Sequence, residues 1–138
     1  MAEGDCIFCK IGAGEIPCHK VYENQSVIAF LDINPVSEGH TLVVPKEHFE
    51  RFDECSAEVI AAIGPVISKV SSAVATAVGA DGYNLLCNNG IAAGQLVGHV
   101  HFHIIPRNSG DGILKGWPAA GYEDGRAETV LENIMKQL

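Results

Sequence analysis

Apolar positions recur along this chain with two different periods. Between Lys20 and Pro45 they fall in short runs without helical spacing, and Lys20–Glu23, Ser26–Ile33 and His40–Pro45 read as strands. A Glu23-Asn24-Gln25 turn joins the first two. Asn34-Pro35 ends the second, because proline lacks a backbone donor and restricts the residue before it. From Ser56 to Val78 the period changes. Val59, Ile60, Ile63, Ile67, Val70, Val74 and Val78 fall at helical intervals and predict one long helix. Ser56 is the N-cap candidate, Glu58 sits in the first turn, and Gly79 supplies a stop. Pro65 inside the run predicts a kink or a later helix start. Gly82–Cys87 returns to a strand pattern, Asn88–Gly94 is a turn-rich loop, and Gly98–Pro106 alternates again. An irregular tail runs from about 108, and Glu128–Leu138 reads as a short C-terminal helix. Strands, a long helix and more strands imply an α+β class: an antiparallel sheet of about five strands under helical cover. With 138 residues, the expectation is a single domain over 1–138.

Composition narrows the function. Hydrophobic residues make up 47% and charged residues 19%, which is globular rather than disordered. The net charge of −8 argues against a general grip on nucleic acid, which needs a clustered basic surface. An anionic ligand must instead be held by local backbone N–H groups and a few side chains. No apolar run reaches the ~18 residues of a membrane span. The start, Met1-Ala2-Glu3-Gly4-Asp5, lacks the basic and apolar regions of a signal peptide. The expectation is a cytoplasmic protein with no membrane partner, nucleus or organelle being left open. Five cysteines, an odd count, suit free thiols in a reducing compartment. Cys18, Cys55 and Cys87 read as small apolar residues, while Cys6-x-x-Cys9 is either a redox pair, a metal pair or two incidental thiols.

The segment His99-Val100-His101-Phe102-His103 concentrates the candidate chemistry. On a strand, alternation puts the three imidazoles on one face and Val100, Phe102 and Ile104 on the other, toward the core. Three readings stay open on these residues alone. They are an ordinary polar face, a catalytic zinc site, and a nucleophilic imidazole whose neighbours fix its tautomer.

The run His99-Val100-His101-Phe102-His103-Ile104-Ile105 resembles the signature of the histidine triad (HIT) nucleotide-binding family. The similarity extends to Cys6-Ile7-Phe8-Cys9-Lys10-Ile11, Ala29–Pro35, Gly39–His48, Asn88-Asn89-Gly90 and Gly94–Val97, and ends near Gly116-Trp117-Pro118. Within the family the chain looks most like the Hint branch in its cysteine-containing, zinc-binding form.

The resemblance implies a HIT-like fold and a nucleotide-binding hydrolase of purine nucleoside 5′-phosphoramidates or adenylates. His101 would attack the α-phosphate and form a nucleotidyl-histidine, and water would then release the nucleoside monophosphate. His103 would contact phosphate or assist the leaving group. Asn88, Gly94, Gln95, Leu96 and Val97 match the family's phosphate-binding positions, the last four through a glycine-opened backbone. Asp32 matches the acid that accepts from ribose hydroxyls, and Ile7, Phe8, Ile11 and Phe30 the apolar slot for the base. Cys6, Cys9, His48 and His99 match the ligands of a structural zinc. The family usually forms homodimers, with Trp117 in a tail that often reaches the partner's site. One position departs: many Hint proteins carry Ser after the Gln, and this chain has Leu96, which keeps the N–H and loses the hydroxyl. Related functions remain beside this one: a dinucleoside polyphosphate hydrolase, or a nucleotide-binding regulatory scaffold with weak catalysis.

Overall fold

The computed structural model describes residues 3–138; Met1 and Ala2, in the acidic start, lie outside the described residues. Strands β1 (Lys20–Glu23), β2 (Val27–Leu31), β3 (Thr41–Pro45), β4 (Gly82–Leu86) and β5 (Phe102–Arg107) form one antiparallel sheet in the order β1-β2-β3-β5-β4. Among the described residues three α-helices accompany it: α1 (Ile7–Gly12), α2 (Ala57–Val78) and α3 (Arg126–Met135).

Strands β2 and β3 pair from Val27 opposite Pro45 to Leu31 opposite Thr41. Strand alternation then sorts their side chains into two cores. Val27, Ala29, Val43 and Ile104 pack with Ile63, Val66, Ile67, Val70 and Val74 of α2. Ile28, Phe30, Leu42 and Val44 pack on the opposite face with Phe8 and Ile11 of α1. The two central strands are therefore covered on both faces, which is why their sequences run apolar without alternation. Each fully buried aliphatic side chain here contributes roughly 1.5–3 kcal/mol.

Helix α2 begins where its cap is expected. The Ser56 hydroxyl accepts the N–H of Val59 at 3.3 Å, and Gly79, at φ 66°, donates to the carbonyls of Ala75 and Thr76. Pro65 neither breaks nor delays it. The carbonyl that Pro65 leaves without its helical donor is that of Ala61, on the exposed side, where water can satisfy it. By length and composition α2 would also suit a membrane span. Its apolar stripe is spent on the sheet, and its outer face is small and polar: Gly64, Ser68, Lys69, Ser72 and Thr76 are exposed.

Besides β2, which spans Val27–Leu31 and not Ser26–Ile33, three elements differ from expectation. Strand β5 starts at Phe102 and not at Gly98, because its ladder with β3 ends at Val43 opposite Phe102. Before that point the Val100 N–H donates at 2.7 Å to the carbonyl of Phe49, beyond the end of β3. His99 and His101 thus lie just outside the ladder. Second, the short helix α1 has no counterpart in the sequence pattern; six residues are too few to show a period, and its N-cap Cys6 makes no side-chain capping bond. Third, α3 starts and stops two to three residues early relative to Glu128–Leu138 and buries none of its residues. The tail from 108 is irregular, as its glycines suggested.

Candidate functional site

Helix α1 delivers side chains to two places. Cys6 and Cys9 reach back to His48 and His99, and all four ligand atoms lie within 4.8 Å of one another. Cys6 Sγ is 3.3 Å and Cys9 Sγ 3.5 Å from His99 Nδ1, Cys9 Sγ is 3.3 Å from His48 Nδ1, and the two Nδ1 atoms are 3.1 Å apart. A tetrahedral ion with Zn–S of about 2.3 Å and Zn–N of about 2.0–2.1 Å requires similar separations. The tautomer of His99 also fits. Its Nε2–H donates at 2.8 Å to the carbonyl of Pro45, so Nδ1 presents a lone pair to the sulfurs. His99 is fully buried, and that burial pushes its pKa down to about 4, which keeps the ring neutral. This Cys₂His₂ group can hold a metal ion.

Two residues on, the chain does something different. His101 Nδ1 lies 2.7 Å from the carbonyl of His99. A carbonyl only accepts, so Nδ1 carries the proton and Nε2 the lone pair. Burial lowers the His101 pKa, and the ring of Phe8 stands edge-on to it at 5.0 Å. The imidazole is thus held neutral, with one nitrogen anchored and the other nucleophilic.

His103 is set by a residue to which the sequence reading gave no role. His40, 3% exposed, follows Gly39 at the entry to β3. Gly39 is at φ 89°, and a Cβ there would meet Val78 at 2.9 Å, so glycine is required. The N–H of Val36 donates to His40 Nδ1 at 3.0 Å, which leaves the ring proton on Nε2. His40 Nε2 lies 2.9 Å from His103 Nδ1 and donates to it. His103 Nδ1 is then an acceptor, and Nε2–H becomes its free donor. Burial, with His101 and His40 nearby, pushes the His103 pKa down to about 4. Asp32 Oδ2 stands 3.7 Å from His40 Nε2, and its Oδ1 accepts the Asn34 N–H at 2.8 Å. Asp32, His40 and His103 are close enough to share a metal. The proton that Val36 forces onto His40 Nε2 goes instead to His103 Nδ1, so the two imidazoles form a hydrogen-bonded pair beside the Asp32 carboxylate. Buried polarity at a strand entry was the sequence signal for His40, and only the fold shows what it touches.

These groups line a cavity of about 540 Å³. Ile7, Phe8, Ile11 and Phe30 line it together with Asp32, His40, Asn88, Gly94, Leu96, Val97, His101 and His103. Cys18 also lines it. Gly94, at φ 89°, holds a left-handed conformation that favours glycine, with Asn88 Nδ2 beside it. Gln95 alone among the expected nucleotide contacts does not line the cavity. Its Oε1 accepts the Gly90 N–H at 2.8 Å, and its Nε2 donates to the carbonyls of Glu50 at 2.7 Å and Val97 at 3.0 Å. That amide shapes the loop.

Comparison with known proteins agrees with this geometry. A model of the HIT domain family matches residues 13–110. The chain is 51% identical over 134 residues to the adenosine 5′-monophosphoramidase hnt1 of Schizosaccharomyces pombe, covering 96% of this chain and 98% of that one. A crystal structure of a HIT family member from Bacillus subtilis superposes with a TM-score of 0.90 at 42% identity, covering 97% of each chain. A Zn-bound histidine triad family protein from Mycobacterium smegmatis superposes at 0.75 with 30% identity, covering 99% of this chain and 100% of that one.

Proposed function

This chain belongs to the HIT domain family, in its Hint branch, and from that premise we propose that it hydrolyses purine nucleoside 5′-phosphoramidates and related adenylates. One observation carries the reading: the 2.7 Å bond from His101 Nδ1 to the His99 carbonyl, which leaves Nε2 free to attack. The base enters the apolar slot of Phe8, Ile11 and Phe30, with Ile7 at its edge. The ribose hydroxyls donate to Asp32, a carboxylate and hence an acceptor. The α-phosphate sits between His101, His103 Nε2–H and Asn88. The N–H groups of Gly94 and Gln95 are already donated to Ile91 and Gly90, which leaves those of Leu96 and Val97 for phosphate oxygens.

In the first step the Nε2 lone pair of His101 forms a P–N bond as the bond from phosphorus to the leaving group breaks. His103 Nε2–H hydrogen-bonds the departing atom; a departing amine takes up a proton there, which His103 recovers in the second step, and a departing carboxylate needs none. The modified imidazole keeps its Nδ1–H on the His99 carbonyl, which stabilises its positive charge. In the second step water attacks phosphorus as the P–N bond breaks, and after amine release the proton that water loses returns to His103 Nε2. Nucleoside monophosphate leaves, and His101 returns to its neutral form. Splitting the displacement works because imidazole is both a good nucleophile and a good leaving group. The S. pombe relative, named for adenosine 5′-monophosphoramidase activity, supports this substrate class.

Cys6, Cys9, His48 and His99 hold zinc in this reading. When bound, the ion supplies a closed Cys₂His₂ shell, so its contribution is a cross-link and not an open coordination site. The four ligands tie α1 to the catalytic segment and thereby fix the His99 carbonyl. The whole chain acts as one HIT domain and pairs as a homodimer, with Trp117, 85% exposed, available for the contact. The test of the reaction is incubation with adenosine 5′-phosphoramidate under acid-free quench, followed by mass spectrometry. An adenylyl adduct on the peptide carrying His101, absent in His101→Ala, is the expected result. AMP release at wild-type rate by His101→Ala would remove the nucleophile assignment.

A further inference from the structure

We propose that Asn89, which takes no part in the reaction above, is a positioning residue. It pins the chain leaving β4 to the segment that follows His48, and so holds Asn88 toward the cavity. The inference rests on the reading that the nucleotide phosphate sits beside Asn88.

The sheet does not hold this part of the chain. The β4–β5 ladder ends with Leu86 opposite His103. Cys87, Asn88 and Asn89 follow outside any helix or strand, and the chain turns at Gly90, at φ 90°. The two neighbouring asparagines have different surroundings. Asn88 lines the cavity, with its Nδ2 beside Gly94, whereas Asn89 is not among the lining residues. Asn89 Oδ1 instead accepts the Phe52 N–H at 2.7 Å. A backbone N–H only donates, so this bond decides which end of the amide carries the oxygen. Asn89 Nδ2 is then a donor, and it reaches the Cys87 carbonyl at 3.3 Å. One amide thus ties its own backbone, two residues back, to a segment 37 positions away.

That segment contacts the stretch from 89 to 100 three times. The Phe49 carbonyl accepts the Val100 N–H at 2.7 Å, and the Glu50 carbonyl accepts from Gln95 Nε2 at 2.7 Å. The Phe52 N–H completes the set at Asn89. Val100 marks the end of the stretch, Gln95 its middle and Asn89 its entry. His48, just before the segment, belongs to the Cys₂His₂ group. Neighbouring side chains on a chain leaving a strand point to opposite sides. With Asn89 held on Phe52, Asn88 is therefore kept on the cavity side. Loss of the Phe52 bond frees the backbone from Cys87 to Asn89, and the cost falls on what Asn88 contacts. That is phosphate, and the apolar slot of Phe8, Ile11 and Phe30 is spared.

The test measures binding of AMP and of adenosine by calorimetry. It uses the full chain as wild type, Asn88→Ala, Asn89→Ala and the double variant. The two ligands share base and ribose and differ in the phosphate. Asn89→Ala should weaken AMP about tenfold, the scale of one hydrogen bond to a charged group, and leave adenosine unchanged. In the Asn88→Ala background, Asn89→Ala should cost AMP nothing further, because it acts through Asn88. Equal weakening of both ligands would overturn the inference and make Asn89 a purely structural residue. So would unchanged AMP binding by Asn89→Ala, or additive losses in the double variant. Should Asn89→Ala not fold, Asn89→Ser, which keeps a shorter acceptor, carries the same comparison with the same criteria. Undiminished AMP binding by Asn88→Ala would sink the reading that puts phosphate beside Asn88, and this inference with it.

Discussion

His40 donates from Nε2 to His103 Nδ1 across 2.9 Å, and its other ring nitrogen accepts the Val36 N–H at 3.0 Å. A backbone amide cannot change its role, so the proton order is set from Val36 outward. His103 is left with its ring proton on Nε2, on the cavity that it lines. His40→Ala removes that order and lets His103 sample the tautomer with no donor at Nε2. The expected effect is a fall in kcat of about 10- to 100-fold with KM nearly unchanged, the usual cost of losing an orienting partner. His40→Gln, whose side-chain NH₂ can donate to the same atom, should recover part of the rate. Equal losses in both variants would show that the donor itself is irrelevant.

Gln95 offers a separate stability test. Its amide satisfies the Gly90 N–H and the carbonyls of Glu50 and Val97, and the residue is 7% exposed. Gln95→Leu keeps the bulk and abandons all three groups. Leaving a buried polar group unmade costs about 1–3 kcal/mol. Urea unfolding should therefore show a loss of at least that size, with faster amide exchange from Gly90 to Val97. A midpoint like wild type would mean that the loop does not depend on this amide.

The Cys₂His₂ group predicts one zinc per chain and a stability that depends on it. Cys9→Ser should bind less than one equivalent and melt at lower temperature. On chelation, activity should fall in step with loss of folded protein and not ahead of it. Loss of turnover in chelated protein that is still fully folded would point instead to a metal in the reaction.

Acid should weaken the fold in a defined window. Burial, with His101 and His40 nearby, pushes the His103 pKa down to about 4 in the fold, against about 6.5 when unfolded. Below 6.5 the unfolded chain takes up protons that the folded one refuses. Stability is thus complete above pH 6.5 and is lost as pH falls toward 4. Between pH 6.5 and 5 the loss is less than about 2 kcal/mol, because His103 is partly solvated. His103→Gln should unfold with a shallower pH slope over that range. An identical slope would mean that His103 does not hold its neutral form in the fold.

Much of this protein was legible in the chain. The periods of Lys20–Pro45 and Ser56–Val78 mark strands and a long helix because burial on a sheet face and on a helix stripe leaves distinct spacings. Ser56 and Gly79 mark the ends of α2 because capping is chemistry between neighbours in sequence. Helix α1 is not legible, since six residues carry no period and Cys6 offers no cap.

The three histidines mark the boundary between the two kinds of information. Their presence, order and alternation are properties of the chain, and so is the replacement of a hydroxyl by Leu96. Their separate jobs are not. His99 meets Cys6 across 93 positions, and His103 meets His40 across 63, because β3 and β5 lie side by side in the sheet. An imidazole has two nitrogens of equal intrinsic standing, and which one carries the proton depends on what each faces. The Pro45 carbonyl, the His99 carbonyl and the Val36 amide make that choice for His99, His101 and, through His40, His103. Only the tertiary structure brings those partners within 3.0 Å, and so only it gives three alike residues different settings: one in a Cys₂His₂ group, one with its lone pair on Nε2, and one with its proton there.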